Sequence, residues 1–228
     1  MRSRTSVADV MTREVLTVGP NTPFKRIAHL VAEHNIRSVP VVAEGDRVLG
    51  LVSVTDLLRK EEYRAEPRPP WYRRLWHRAA ADKAEGRVAA ELMSSPAVTT
   101  KPEALVVEAV RTMAAHQVNR LVVVDAEGRL AGIVSRGDVL RIFLRPDEEI
   151  REAVLREIVP YAIWADPHEI DVTVSDGVVT LRGRVERKSH VPIVLALVWG
   201  IDGVVDVVDN LRYEYEHAPP TVPADLDI

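Results

Sequence analysis

Two short serine–aspartate spacings are the residues in this sequence best suited to hold a ligand. They are Ser53 with Asp56 in Gly50-Leu51-Val52-Ser53-Val54-Thr55-Asp56, and Ser135 with Asp138 in Gly132-Ile133-Val134-Ser135-Arg136-Gly137-Asp138. In each, an apolar run ends on a Ser that can start a helix. A Ser there can share its oxygen or N–H with a phosphate. An Asp three residues on offers a carboxylate able to accept both hydroxyls of a ribose. The plainer reading is a capping box, in which that carboxylate returns to the N–H of the capping residue. Spacing alone favours the capping box.

Nothing else in the chain assembles into chemistry. The seven His stand at 29, 34, 77, 116, 168, 190 and 217, with neither H-x-x-x-H nor H-E-x-x-H spacing. His34 and His116 fall at expected helix ends, where a cation is mildly favoured. There is no G-x-S-x-G elbow and no P-loop. With 0 Cys, disulfides, Cys-based zinc sites and thiol nucleophiles are excluded, and a reducing compartment is fitting. The chain therefore reads as non-enzymatic.

The elements that would position these residues come from a repeat. Shifting the 228-residue chain by 82 aligns Ala8–Lys60 on Ala90–Ile142 without a gap, with 15 of 53 pairs identical. Chance would give about four at ordinary composition. Each copy reads as strand, helix, strand, strand, helix. In the first, Val15–Val18 is a short β-branched run closed by Gly19-Pro20-Asn21. Phe24, Ile27, Leu30 and Val31 then recur at helical spacing, Val39–Val42 and Val48–Val52 flank a hairpin, and Ser53 caps the next helix. The second copy repeats this with Ala97–Thr100, Val106 to Met113, Leu121–Val124 and Leu130–Val134. A single copy of about 55 residues is a marginal core, so the two should pack together.

The C-terminal third reads as α-β-β-α-β. Asp147-Glu148-Glu149 opens a helix carrying Ile150, Val154, Leu155 and Ile158, stopped by Pro160. Ile170–Val174 alternates as a half-buried strand, Asp176-Gly177 signals a hairpin, and Val178–Val185 returns. Ser189–Trp199 is the second helix, with Pro192 tolerable in its first turn, and Val204–Leu211 is the third strand.

The repeat, its pairing, the two Gly-h-h-Ser-x-x-Asp stretches (h apolar) and the openings Asp9-Val10-Met11-Thr12 and Glu91-Leu92-Met93-Ser94 resemble the CBS-domain pair over about residues 7–145. Asp176-Gly177-Val178-Val179-Thr180-Leu181-Arg182-Gly183-Arg184-Val185 and Gly203-Val204-Val205-Asp206-Val207-Val208-Asp209-Asn210-Leu211 resemble a BON domain over about 147–216. The resemblances imply an α+β protein: two β-α-β-β-α CBS repeats packed as a pair, plus a small α-β-β-α-β BON domain. The expected organisation is 1–60 for repeat 1, 61–87 for a linker, 88–146 for repeat 2, 147–216 for the BON domain and 217–228 for a flexible tail.

The CBS resemblance further implies an adenosyl nucleotide of the AMP, ATP, S-adenosylmethionine or NAD class, and it tips the Ser–Asp pairs towards ligand binding. It assigns Thr17, Ile36, Pro40, Ser53 and Asp56 to one half-site. To the other it assigns Thr99, Val118, Arg120, Ser135, Arg136 and Asp138. The halves differ. Arg136 stands where repeat 1 has Val54, and Asn119-Arg120 where it has Arg37-Ser38. An Arg beside a phosphate supplies a charge-assisted hydrogen bond, so the second half-site suits a phosphorylated ligand better. Pro40, a family feature, is Val122 in the second copy, which alters the turn where family members hold adenine.

Charge separates the segments. Residues 59–87 carry nine Lys/Arg against five acids, or +4, whereas 147–228 carry 17 acids against 7 bases, or -10. A net charge of -4 argues against nucleic acid as the partner of the whole chain. In the linker, Trp71, Tyr72, Leu75, Trp76 and Ala79 recur at helical spacing among Arg73, Arg74, His77 and Arg78. Such a helix would suit weak contact with a membrane surface. The plainer reading, packing on the body or on a dimer partner, is favoured. BON domains are associated with phospholipid, yet an acidic unit is repelled by anionic leaflets. The longest stretch without Asp, Glu, Lys or Arg is the 13 residues Ser189–Ile201, short of a spanning helix. The N-terminus does not read as a signal peptide.

Three functions compete on these readings. The first is a cytoplasmic ligand-sensing regulator with an unidentified protein target, in which the BON domain relays or anchors. The second is a ligand-free scaffold that acts by dimerising, and whichever function holds the chain is expected to be a homodimer through the CBS helices, using residues such as Ile27, Leu30, Leu57 and Leu58. The third is a peripheral membrane protein.

Overall fold

The alternation of short β-branched runs with amphipathic helices produces two compact units, Ser6–Val139 and a second that joins Thr5 to the chain from Leu140 onward. The computed structural model describes residues 5–65, 86–157 and 170–216. The aromatic stretch of the linker, Pro160 and the tail at 217–228 lie outside the described residues.

In the first unit, repeat 1 contains α1 (Val7–Val10), α2 (Phe24–Glu33), β1 (Ser38–Val42), β2 (Val48–Ser53) and α3 (Val54–Ala65). Repeat 2 contains α4 (Ala89–Leu92), β3 (Thr99–Thr100), α5 (Val106–Ala115), β4 (Arg120–Val124), β5 (Leu130–Ser135) and α6 (Arg136–Leu140). β1 and β2 pair antiparallel, as do β4 and β5. The expected leading strands shrink. Val15–Val18 is reduced to one parallel bridge, Val18 to Val41, and Ala97–Thr100 to the two-residue β3 beside β4. Pro20 and Pro102 follow closely, and a proline cannot donate to a ladder.

The larger departure is an exchange of segments. Each copy reads as self-contained in sequence, but the cores are shared. Val7, with Val10 and Met11 against it, packs among Ala109, Met113, Leu121, Val123 and Val134 of repeat 2. Ala89 and Leu92, with Met93, pack among Val18, Ile27, Val39, Val41 and Val52 of repeat 1. Reciprocal backbone bonds fasten both crossings: Thr12 with Ile133 at 2.9 Å each way, and Ser94 with Leu51 at 2.9 and 3.1 Å. Small residues permit this. A Cβ on Gly50 would lie 2.6 Å from Met93 Sδ, and one on Gly132 would lie 2.7 Å from the Thr12 carbonyl oxygen.

In the second unit, α7 (Asp147–Glu157) and α8 (His190–Val198) accompany a sheet of β6 (Ile170–Ser175), β7 (Val178–Arg187) and β8 (Asp206–Tyr215). The order is β6-β7-β8, with β6/β7 antiparallel and β7/β8 parallel. Ile150, Val154, Val172, Val179, Leu181, Val185, Val194 and Val198 form its core. The Asp176-Gly177 turn has both residues at positive φ, as its sequence expects. Its two N–H groups donate to the Asp147 carboxylate at 2.8 Å each, so the first residue of α7 grips the hairpin. Pro192 falls in the first turn of α8, where it removes no helical bond.

Candidate functional site

Each candidate half-site is assembled at the start of a hairpin. α2 and α5 both end in a left-handed residue, Asn35 and Gln117, after the C-caps His34 and His116. The chain then turns back, with Ile36 N–H donating to Val31 O at 3.1 Å and Val118 N–H to Met113 O at 2.9 Å. One residue later, the carbonyls of Arg37 and Asn119 accept from Val54 and Arg136 N–H, both at 3.0 Å. That bond fastens the Ser–Asp turn to the helix exit. In the ladders Ser38 pairs with Ser53, and Arg120 with Ser135.

Thr17 joins the first group because the next residue, Val18, donates to the Pro40 carbonyl at 3.1 Å. Thr99 joins the second through its register with Val122. Pro40, Asp56 and Asp138 are buried, Thr17, Ile36, Val118, Arg120, Ser53 and Ser135 are half-buried, and Thr99 and Arg136 are exposed.

The plainer reading of Ser-x-x-Asp is present in both copies. Ser53 N–H and Oγ–H donate to Asp56 Oδ2 at 2.9 and 2.6 Å, and Asp56 N–H donates to Ser53 Oγ at 3.3 Å. Ser135 and Asp138 repeat this at 2.9, 2.7 and 3.3 Å. The box uses two of a carboxylate's roughly four lone-pair sites, so it does not by itself exclude a ligand role. Arg59 Nη1 stands 3.9 Å from Asp56 Oδ1.

The two copies differ as their sequences do. α3 runs for 12 residues, whereas α6 runs for five around Gly137, a poor helix former. Arg120 does not project freely into its own half. Its Nη1 donates to Ser38 Oγ at 2.9 Å, across to repeat 1. Burial, then the positive charge of Arg37, lowers the pKa of this guanidinium from its ordinary value, and Asp138 acts the other way. Ser38, buried and absent from the expected site, is a residue the sequence reading missed. The signal was there: Ser38 and Arg120 are equivalents under the 82-residue shift. Arg47 and Arg129, which form a bridge, are another such pair. Residues next to a two-fold axis meet their own equivalents.

The homodimer expectation loses part of its motive. Ile27 and Leu57 are buried inside repeat 1, and Leu30 packs on that core, so of the four residues only Leu58 is exposed. Among the described residues no group of His, Asp and Glu is arranged to hold a metal ion, and no helix is long and apolar enough to cross a membrane.

Paired α/β repeats with a Ser-capped Asp on either side of their contact, followed by a separate α-β-β-α-β unit, define a tandem-repeat module with an appended small domain. A CBS-domain signature matches residues 7–63 and 88–145, and a BON-domain signature matches residues 146–215. The chain thus belongs to the CBS-domain proteins, as a tandem pair followed by a BON domain. An uncharacterised protein of Methanopyrus kandleri is 32% identical over 142 residues, 62% of this chain and 64% of its own length. The CBS domain-containing protein YhcV of Bacillus subtilis is 32% identical over 135 residues, 59% of this chain and 82% of its own. Among solved structures, CBSX2 of Arabidopsis thaliana in complex with AMP is similar at a TM-score of 0.54 and 28% identity, covering 61% of this chain and 96% of that one.

Proposed function

We propose that the CBS pair binds an adenosyl nucleotide between its repeats and that the chain is a regulator rather than an enzyme. The likeness to AMP-bound CBSX2 carries this reading. The convergence of Val118, Arg120, Ser135, Arg136 and Asp138 on one hairpin supports a phosphorylated ligand in the second half-site. There Asp138 accepts from ribose hydroxyls while Arg136 meets the phosphate, and Arg120, bonded across to Ser38 of repeat 1, borders the same hairpin. Thr17, Ile36, Pro40, Ser53 and Asp56 form the weaker site, and Thr99 completes the stronger one. The BON domain relays or anchors this state towards a protein target, in the cytoplasm. The boundaries at 60, 87 and 146 mark the functional pieces. Leu58 and Val110, both exposed, supply a CBS-mediated dimer contact. Binding shifts such a regulator only through differential affinity for its states.

The complete capping boxes favour a second reading, a ligand-free scaffold. Calorimetry with AMP, ATP, S-adenosylmethionine and NAD separates the two. On the first reading at least one binds, and Asp138→Ala weakens binding more than Asp56→Ala, by about 1–3 kcal/mol for the lost ribose hydrogen bonds. Equal losses, or a larger one at Asp56, would refute the assignment of the main half-site. No heat with any of the four would support the scaffold.

A further inference from the structure

Arg37 has no part in either expected half-site, yet the fold sets it beside a second guanidinium. Under the 82-residue shift Arg37 corresponds to Asn119, and Arg120 to Ser38, so the two cations are not equivalents of each other. Arg37 directly precedes β1, and its carbonyl accepts from Val54 N–H at the first Ser–Asp turn. Arg120 opens β4, where its ladder partner is Ser135 of the second turn. Its side chain leaves that half. Nη1 donates to Ser38 Oγ at 2.9 Å, so a charge carried by repeat 2 is delivered next to Arg37 of repeat 1. Ser38 is buried, Arg120 half-buried and Arg37 exposed.

Such an apposition of like charges is unfavourable. After burial, Arg37 is the larger influence on the Arg120 guanidinium, depressing its pKa, and Asp138 opposes it with the smaller effect. Among the described residues the Arg37 side chain makes no ion pair and no hydrogen bond. Asp56, the carboxylate of the same half, is engaged by Ser53 N–H and Oγ–H, with Arg59 at 3.9 Å. A guanidinium offers five donors, and Ser38 takes one of those on Arg120. The remaining donors of both arginines match phosphate oxygens in pairs.

We propose that Arg37 and Arg120 form an anion subsite across the axis between the CBS repeats, and that it takes a phosphate beyond the first of a nucleoside di- or triphosphate. The subsite presupposes the nucleotide reading above and narrows its ligand class. With the ribose on Asp138 and the first phosphate at Arg136, the path to repeat 1 is the one Arg120 follows, from beside Ser135 to Ser38. A monophosphate stops at Arg136 and leaves Arg37 unmet. A longer phosphate chain places an anion between the two guanidiniums and removes their repulsion. Ser38 is a positioning residue that holds Arg120 at the axis.

Calorimetry on the full chain with AMP, ADP, ATP and inorganic pyrophosphate, at one fixed salt concentration, tests this. ADP and ATP should bind about tenfold more tightly than AMP, as one added charge-assisted contact provides. In Arg37→Gln that preference should fall below about twofold, with AMP affinity changed by less than about twofold. Arg37 is exposed, so the substitution leaves the core intact. Without ligand its melting temperature should be unchanged or higher, because a repulsion is lost. Ser38→Ala, which releases Arg120, should also reduce the preference. Equal wild-type affinities for AMP and ADP overturn the subsite. So does an Arg37→Gln variant that keeps the preference or weakens AMP as much as ADP. Pyrophosphate distinguishes this failure from failure of the nucleotide reading. Pyrophosphate binding that Arg37→Gln abolishes, with no nucleotide bound, removes the nucleotide reading and keeps the anion subsite. Binding of none of the four overturns both.

Discussion

Replacing Gly50 by Ala tests the exchange of segments at its tightest point. A Cβ there would lie 2.6 Å from Met93 Sδ, 2.7 Å from Ser94 O and 2.9 Å from Met93 Cγ, where ordinary contacts are about 3.5–4.0 Å. The two obstacles differ in stiffness. The Met93 thioether can swing aside at small cost. The Ser94 carbonyl is held by Leu51 N–H at 3.1 Å, while Ser94 N–H donates to Leu51 O at 2.9 Å. Accommodating the methyl means moving this carbonyl by several tenths of an ångström and straining both bonds. Overpacking of this kind costs about 1–3 kcal/mol. Losing both bonds outright, at about 0.5–1.5 kcal/mol each, sets the same ceiling. Native-state hydrogen exchange reads the effect locally. The Leu51 and Ser94 amides should lose about tenfold protection for each 1.4 kcal/mol. Met93→Ala in the same background should recover only part of the loss, because the carbonyl remains. Gly19→Ala is the control, since its Cβ would meet nothing within 4 Å. Unchanged protection in Gly50→Ala, or full recovery with Met93→Ala, would refute the claim that backbone contact fixes the crossing.

Two further expectations concern single carboxylates. Asp147→Ala removes the acceptor of both turn N–H groups at 176 and 177 and should lower the urea midpoint of the BON unit by the equivalent of about 1–3 kcal/mol, while a change under about 0.5 kcal/mol would show the grip to be incidental. Asp9 accepts from Ser6 Oγ–H and N–H, which hold its carboxyl below the ordinary value of 3.8. A depressed folded-state pKa stabilises above the unfolded value and stops doing so as pH falls through the folded one. Exchange protection of the Val7 amide should therefore drop on acidification below about 3.8, and Asp9→Asn should flatten that drop.

Local grammar was legible in the residues. Glycine and proline punctuation, the Asp176-Gly177 turn, the helix-capping serines and the run of α8 all follow from side-chain chemistry within a few positions, and the 82-residue shift exposes the pairing. The exchange of Val7–Met11 and Ala89–Met93 between repeats was not legible. An apolar residue announces that it will be buried, not against which copy of a repeated surface, and two similar cores offer similar burial. The leading strands were over-read for a related reason: β-branched residues mark extended chain, but a ladder also needs a partner edge long enough to pair with. At the candidate site the residue types were readable, and so was the difference between Ser38 and Arg120. Their hydrogen bond was not, because it depends on the axis between the repeats, and only the fold says where that axis lies.

The exchanged segments also tie the two candidate half-sites together. Repeat 1 encloses Ala89 and Leu92, repeat 2 encloses Val7, and neither core is complete without residues from the other copy's side of the chain. Each crossing then leads directly into a half-site. The segment bonded through Thr12 to Ile133 reaches Thr17 five residues later, beside Pro40, while β5 runs from Ile133 to Ser135. The segment bonded through Ser94 to Leu51 reaches Thr99, while β2 runs from Leu51 to Ser53. Each Ser–Asp turn is thus two residues from a backbone bond to the segment that supplies the threonine of the opposite half-site. Each Ser–Asp turn is therefore linked by backbone bonds to both halves of the pair. Close-packed elements with discrete arrangements respond to a shift by repacking rather than by gradual deformation. Arg120, charged where its equivalent Ser38 is neutral, adds to the asymmetry of the halves by reaching across the axis to Ser38.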